Sequence, residues 1–180
     1  MDVPTHTLKG VDTLTGEVDW EAAYKEYLPR VYNFFRYRVG DEGLAEDLTA
    51  AAFEKAWRGR ARFQRNLGAF STWLFTIARN ISTDHFRRNG RDLSLETVRE
   101  PVDPTSLEET AQRKQDFAKL NSLFSQLPTR ERELVALKYG AGLSNREAAQ
   151  LTQLSESNVG TILHRVVEKF RVEMEVDHER

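Results

Sequence analysis

Apolar residues in the first half of the chain recur at the three-to-four spacing that is typical of amphipathic helices. This spacing predicts three helices, over residues 20–39, 42–58 and 69–88. Pro29 lacks an N–H, so we expect it to start or kink the first helix. Gly40 is expected to end that helix and Asp41 to cap the next one. Residues 59–68 are predicted to form a loop, so the pattern gives at least three packed helices.

The pattern changes between residues 91 and 111, which contain two prolines, few large apolar side chains and a net acidic balance. Such a composition is typical of a flexible linker. Helical spacing then returns, and it predicts helices over 112–126, 130–139, 145–151 and from 156 onward. We therefore predict an all-α protein of two small helical domains, with a 1–19 extension, a 20–90 domain, a 91–111 linker and a 112–180 domain.

Capping residues mark the helix starts of the second domain. Thr129 follows Leu-Pro and is expected to cap the helix over 130–139. Ser144 and Glu147 have the spacing of a capping box. Ser155 is expected to cap the last helix.

Residues 144–165 have the order of a helix-turn-helix, a short helix, a tight turn and a longer helix that enters the major groove. Ala148 and Ala149 are small enough for close helix approach. A plain helical hairpin is the alternative. In the helix-turn-helix interpretation, the candidate contacts to duplex DNA are Arg146, Ser155, Glu156, Ser157, Gly160, Thr161, His164, Arg165 and Lys169.

The formal net charge of −2 conceals segregated charge. Residues 55–91 carry nine Lys or Arg and one Asp, a net charge of +8, whereas residues 1–54 have a net charge of −6. The basic block is interleaved with aromatic residues, as in surfaces that stack bases, although helix cores supply the same mixture. Composition alone leaves nucleic-acid binding and a solvated basic face about equally open.

Several function classes are disfavoured. The chain has no cysteine, which excludes thiolate metal sites and cysteine catalysis, and its four histidines have no ligand spacing. No Gly-rich phosphate loop is present, so a hydrolase or metalloenzyme is a remote third interpretation and no cofactor is expected. Without a secretory signal or an apolar run of about 20 residues, we expect a cytoplasmic protein with no membrane insertion.

Three segments, in order, resemble RNA polymerase sigma factors of the extracytoplasmic-function (ECF) type, in the sigma-70 superfamily. They are AEDLTAAAFEKAW at 45–57, FSTWLFTIARNISTDHFRR at 70–88 and LPTRERELVALKYGAGLSNREAAQLTQLSESNVGTILHRV at 127–166. The second segment is the most specific, and the resemblance covers most of the chain. Three such segments in this order and spacing form a strong signal.

The resemblance implies a protein, not itself an enzyme, that binds core RNA polymerase and directs promoter-specific initiation. Its first domain would dock on polymerase and capture a promoter element as single-stranded DNA, and its second would read an element further upstream as duplex. The resemblance also implies an anti-sigma partner, and an acidic linker that mimics nucleic acid in the polymerase channel.

The resemblance assigns site residues in the first domain. The residues implied in core polymerase binding are Asp47, Leu48, Ala50, Ala51, Phe53 and Trp57. Those implied in capturing and melting the promoter strand are Arg60, Arg62, Phe63, Gln64, Arg65, Asn66, Arg79, Asn80, Asp84, Arg87 and Arg88. Trp73 and Ile77 are expected to belong to the core.

The chain departs from the family pattern in both domains. Ala50 and Ala51 replace a Gln-Glu pair, which removes two polar contacts worth about 0.5–1.5 kcal/mol each. Gly160, Ile162 and Val167 stand where the family usually has Arg or Lys, so we expect the isolated second domain to bind duplex DNA weakly. The alternative function is therefore a sigma-like regulator that binds DNA or a partner but has no productive polymerase binding.

Overall fold

The computed structural model describes residues 18–63, 69–89, 119–120 and 122–175 of the 180-residue chain. Its helices are α1 (Trp20–Val39), α2 (Glu42–Gly59), α3 (Phe70–Asn89), α4 (Thr129–Val135), α5 (Asn145–Thr152) and α6 (Glu156–Glu175). A 3-10 turn at Arg60–Arg62 follows α2, and a π-helical turn at Ala136–Gly140 follows α4. Residues 119–120 and 122–126 are also helical. The all-α prediction is confirmed, while the predicted linker 91–111 lies outside the described residues.

The ends of α1 and α2 follow from local capping chemistry. The Asp19 carboxylate accepts hydrogen bonds from the backbone N–H groups of Glu21 and Ala22, both at 3.1 Å. Gly40 ends α1 in the left-handed conformation, at φ 78°, and the Asp41 carboxylate accepts from the Leu44 N–H at 2.6 Å. The predictions for Gly40 and Asp41 are confirmed, whereas the cap at Asp19 was not predicted.

The prediction that Pro29 could start a helix is wrong, because α1 runs through it from Trp20 to Val39. Buried residues on both sides of the proline, Tyr27 and Val31, hold the helix against the core. Tertiary packing thus outweighs the loss of one backbone hydrogen bond.

Two of the three predicted caps in the second half are confirmed. The Ser144 hydroxyl accepts from the Glu147 N–H at 3.2 Å while the Glu147 carboxylate accepts from the Ser144 N–H at 2.8 Å, a complete capping box. The Ser155 hydroxyl accepts from the Asn158 N–H at 3.2 Å. The prediction for Thr129 is wrong: Pro128 is the capping residue, with no side-chain hydrogen bond, and Thr129 is already helical.

The predicted helix over 130–139 instead changes type halfway. Regular α-helical geometry ends at Val135, and the Ala141 N–H then donates to the Ala136 carbonyl at 2.8 Å, five residues back. A π-helical turn of this kind inserts one extra residue into a helix. The turn brings Gly140 against α1, where a Cβ atom at position 140 would lie 2.8 Å from the Asn33 carbonyl oxygen.

One cluster of buried apolar residues extends through both halves of the molecule. Helix α1 lies at its centre and packs against α2, α3, α4 and the π-helical turn. Fully buried Phe34 and Phe35 of α1, Phe75 of α3 and Leu137 of the π-helical turn all belong to this cluster. The two segments predicted as separate domains therefore pack directly against each other.

Candidate polymerase and nucleic-acid interface

Helix α2 presents a half-apolar face to solvent. Trp57 is 49% exposed although it is a large aromatic residue, and Asp47, Ala50 and Ala51 are exposed as well. Leu48 is instead buried in the core. Of the six residues predicted to bind polymerase, Leu48 therefore supports the helix from inside. The others form or border the open surface.

An apolar groove runs between α1 and α2 beside this surface. Phe53 in the groove packs edge-on against Tyr24 of α1, with ring centroids 4.8 Å apart. The residues that line the groove are Tyr24, Leu28, Pro29, Tyr32, Glu46, Thr49, Ala50 and Phe53. An apolar groove of this kind can receive apolar side chains of a partner protein.

The start of the predicted base-capturing loop combines a cation with an aromatic ring. The Arg60 guanidinium lies 3.9 Å from the centroid of the Trp57 ring, and it donates to the Trp57 carbonyl at 2.8 Å. Arg62 is exposed, whereas Phe63 packs against Phe70 and Trp73 with centroid distances of 5.5 and 5.3 Å. Gln64, Arg65 and Asn66 lie outside the described residues. Arg60 and Arg62 are therefore the two described cations of this loop.

The basic residues of α3 point to two different places. Arg87, Arg88 and Asn80 are exposed, and Arg87 pairs with Asp84 at 3.1 Å, which is an exposed contact of small energy. Arg79 is held by Glu133, with Nε donating to the carboxylate at 2.8 Å. The structure thus separates the predicted strand-contact residues of α3 into an exposed set, Asn80, Arg87 and Arg88, and Arg79, which Glu133 engages.

The expectation that Trp73 and Ile77 belong to the core is confirmed, because both are partly buried against the apolar cluster. Trp73 also contacts Trp20, with ring centroids 6.3 Å apart.

Helix α6 has a buried stripe and an exposed face. Val159, Ile162, Leu163 and Val166 are buried. The candidate DNA contacts at its exposed positions are Glu156, Ser157, Thr161, His164, Arg165 and Lys169, with Gly160 half-buried and Arg146 exposed on α5. Ser155 caps the helix with its hydroxyl. Since Ile162 is a core residue, a basic residue at this position would have to leave the core to reach DNA.

Sequence reasoning missed three buried charged residues, Arg38, Arg132 and Glu133. Glu133 pairs with Arg79 of α3, whereas Arg132 donates to the carbonyls of Ser125 and Leu127 within the C-terminal half. Arg38 is only 3% exposed, and its guanidinium stacks on the Phe86 ring at 4.8 Å. Burial lowers the pKa of Arg38 to about 10; Glu133 opposes this shift, and Arg132 and Arg79 add to it. A usable signal existed, because Arg38 lies three and four residues after Phe35 and Phe34 on the apolar face of α1.

The described part of the chain lacks two kinds of feature, a metal site and a membrane-spanning helix. Among these residues, no group of three or more His, Asp or Glu side chains is arranged to hold a metal ion. Within the same ranges, no helix has the length and apolar character that a bilayer crossing requires.

Comparison with known proteins extends this picture. The model of the Sigma-70 region 2 family matches residues 23–92, and that of the Sigma-70 region 4 family matches residues 117–170. The chain is 32% identical to the ECF RNA polymerase sigma factor SigC of Mycobacterium tuberculosis over 147 residues, 81% of this chain and 76% of SigC. It is also 32% identical to BldN of Streptomyces coelicolor over 157 residues, and this match covers 84% of the chain but only 59% of BldN.

A solved structure shows the same fold. The sigma factor RpoE of Bartonella quintana, in complex with the anti-sigma factor NepR, superposes with a TM-score of 0.71 at 23% identity. The superposition covers 88% of this chain and 98% of RpoE. The chain belongs to the ECF family of RNA polymerase sigma factors, which confirms the family resemblance of its three segments. Proteins of this class bind core RNA polymerase and promoter DNA and direct promoter-specific transcription.

Proposed function

We propose that this sigma factor docks on core RNA polymerase through the exposed face of α2 and the groove that α2 forms with α1. The observation that carries the proposal is the exposure of Trp57 at the end of α2, on a helix that also exposes Asp47, Ala50 and Ala51. A large ring held half-exposed on a rigid helix is a typical anchor of a protein interface. Phe53 contributes the apolar wall of the groove.

The promoter strand is then bound along a path from the end of α2 to the end of α3. Arg60 and Arg62 supply exposed cations where the base-capturing loop begins. Arg87 and Arg88 supply exposed cations for phosphate contact. Phe63 packs against Phe70 and Trp73 at the start of the loop. It therefore supports these two rings as well as bordering the path of the strand.

Duplex DNA is read by the exposed face of α6. Thr161 and His164 are placed to reach base edges, while Arg165 and Lys169 are placed to reach phosphates. Two cations on this face make only a small electrostatic contribution, and Glu156 repels phosphate. The proposal therefore keeps the weak duplex affinity of the second half and assigns most of the DNA affinity to the assembled polymerase complex.

The proposal extends to regulation and location. The solved structure of RpoE with NepR shows a protein of this fold bound to an anti-sigma factor, which supports an anti-sigma partner for this chain. The protein acts in the cytoplasm and is not an enzyme by itself, because the polymerisation chemistry belongs to the polymerase.

The test is run-off transcription with core polymerase and a library of genomic promoter fragments. A promoter-specific transcript that depends on this protein supports the proposal. If folded protein gives no such transcript while another sigma factor works in parallel, the sigma-like regulator without productive polymerase binding is the better description.

Restoring the family's polar pair tests the docking face directly. The Ala50→Gln, Ala51→Glu variant is expected to bind core polymerase about 2- to 10-fold more tightly per restored contact, since each is worth about 0.5–1.5 kcal/mol. Fluorescence anisotropy of labelled protein with core polymerase measures this change. Glu54→Gln on the same helix is the control, and an unchanged affinity of the double variant would place docking elsewhere.

A further inference from the structure

The first two turns of α6 lack the residues that most often read bases. Residues 156–163 contain no lysine or arginine, and Glu156 is their one charged residue. The bidentate contact of arginine or lysine with guanine, which is the commonest specific contact in the major groove, is therefore not available to these turns. Their discrimination between bases has to come from short side chains.

Thr161 is the short side chain whose position on α6 is best defined. Val159, Ile162 and Leu163 are buried, and they fix which side of the helix faces the core. Since each residue turns the helix by about 100°, Thr161 lies almost opposite Val159, and it is exposed. A recognition helix contacts base edges with its N-terminal residues, so Thr161 lies in the part of α6 that reads bases.

The hydroxyl of Thr161 is already engaged within the helix. Its Oγ1 donates a hydrogen bond to the Ser157 carbonyl, one turn earlier, at 3.0 Å. A threonine that bonds back to its own helix in this way has no hydroxyl proton left for a base. What the side chain still offers to DNA is its methyl group and the lone pairs of its oxygen.

A methyl group can distinguish bases in the major groove. Thymine presents its 5-methyl group there, whereas adenine, guanine and cytosine have no such group. Apolar contact with a threonine methyl is one of the ways in which proteins read thymine. At Thr161 the contact leaves no hydroxyl donor unpaired, because that donor keeps its bond to the Ser157 carbonyl.

We propose that Thr161 is a specificity-determining residue of α6, whose methyl group contacts the 5-methyl group of one thymine in the duplex element. This inference rests on the proposed function, since it names the base that the exposed face of α6 reads. The chemistry that Thr161 recognises is that of a 5-methylpyrimidine, so 5-methylcytosine at the same position also satisfies the contact.

The first step of the test identifies the duplex element. The full-length chain bound to core polymerase is used to select from a library of random-sequence duplexes, and the upstream part of the enriched sequences is the element assigned to α6. If nothing is enriched while another sigma factor enriches its own promoter, both the proposed function and this inference fail. An enriched upstream element without a thymine on either strand overturns this inference alone.

Uracil substitution then isolates the methyl group. Each thymine of the upstream element is replaced singly by uracil, which removes the methyl group and keeps the hydrogen-bonding groups of the base. Anisotropy of the labelled duplex should show one position at which affinity for the polymerase complex falls about fourfold, the factor that corresponds to burial of one methyl group. Cytosine at that position should bind more weakly than thymine, and 5-methylcytosine should regain the same factor. An enriched element with no uracil-sensitive position would overturn this inference and leave duplex reading by α6 intact.

Two variants assign the effect to Thr161. Thr161→Ser keeps the hydroxyl and removes only the methyl group, so duplexes with thymine and uracil should then bind equally. Thr161→Val keeps a methyl group and removes the hydroxyl, so the preference for thymine should remain. Thr76→Ser is the matched control, because Thr76 is an exposed threonine of α3 whose hydroxyl donates to the Thr72 carbonyl at 2.7 Å.

The variants are compared in protein with unchanged helical circular dichroism. A thymine preference that persists in Thr161→Ser would overturn the assignment to the methyl group. Loss of the preference in Thr161→Val would do the same, because the hydroxyl would then be the group that reads the base.

Discussion

The two halves of this sigma factor build their functional surfaces in opposite ways. In the N-terminal half, the aromatic rings that stabilise the fold also reach the surface: Trp20 contacts Trp57, Phe70 and Trp73 at centroid distances of 5.5, 5.7 and 6.3 Å. In the C-terminal half, α6 separates the two tasks, with an aliphatic stripe inside and a mainly polar face outside, on which Val167 and Val172 are also exposed. Trp57, a candidate binding residue, therefore belongs to the stabilising ring cluster in the first half, whereas the candidate contacts of α6 lie apart from the core in the second.

The largest expected effect concerns the core that both halves share. Phe34→Ala removes a fully buried ring that contacts Phe35 and Phe75, and we expect a loss of about 3–5 kcal/mol in the free energy of unfolding. Urea unfolding followed by circular dichroism and by tryptophan fluorescence measures this loss. All three tryptophans lie in the N-terminal half, so coincident transitions indicate that the halves unfold together.

The control for this prediction is Val172→Ala, at a position 56% exposed, which should change the free energy of unfolding by less than about 0.5 kcal/mol. Two separate transitions, with only the fluorescence transition shifted by Phe34→Ala, would show that the halves are independent.

An intermediate effect tests the coupling of binding and stability on α2. Trp57→Ala should weaken core polymerase binding by at least tenfold, since anchor residues contribute about 2 kcal/mol or more. It should also lower stability modestly, because Trp57 touches Trp20. Tyr139→Ala is the matched control: this ring is 50% exposed in the C-terminal half, against 49% for Trp57. Equal loss of polymerase affinity in both variants would contradict the claim that Trp57 of α2, and not Tyr139 of the C-terminal half, anchors polymerase.

The smallest effect tests whether α6 can change its DNA contacts without cost to the fold. Gly160→Lys adds one cation beside the exposed face, where an added Cβ has 3.5 Å to the nearest neighbouring atom. Replacing a glycine inside a helix can raise the free energy of unfolding by up to about 1 kcal/mol. One new phosphate contact should steepen the salt dependence of duplex binding by about 0.9 in the log–log slope. Gly160→Ala separates the helix effect from the charge effect, and an unchanged slope for the lysine variant would mean that position 160 lies away from the backbone of the DNA.

The helices and most caps were predictable because they depend on local chemistry. Ser144 and Glu147 are three residues apart in the sequence, and the side chain of each accepts a hydrogen bond from the backbone N–H of the other. This pairing does not depend on the rest of the fold. The exposed face of α6 follows in the same way from helical spacing.

What could not be predicted depends on contacts between distant segments. Glu133 and Arg79 are separated by 54 positions, and nothing local indicates that they form an ion pair. Likewise, Pro29 suggested a helix start because sequence reasoning sees the missing N–H but not the core that holds α1 on both sides. The family resemblance implied that Phe63 helps to capture a base, and its packing against Phe70 and Trp73 depends on α3, which the loop sequence does not show. The roles assigned to the binding residues stay predictions.

The orientation of the helices after the π-helical turn at Ala136–Gly140 depends on the number of residues in that turn. Each residue of an α-helix advances the chain by about 100° around the axis, because a turn takes 3.6 residues. Deleting one residue from this turn would restore α-helical winding and swing everything after it, including α5 and α6, by roughly that angle. The number of residues at this point therefore sets the orientation of α5 and α6 relative to α1.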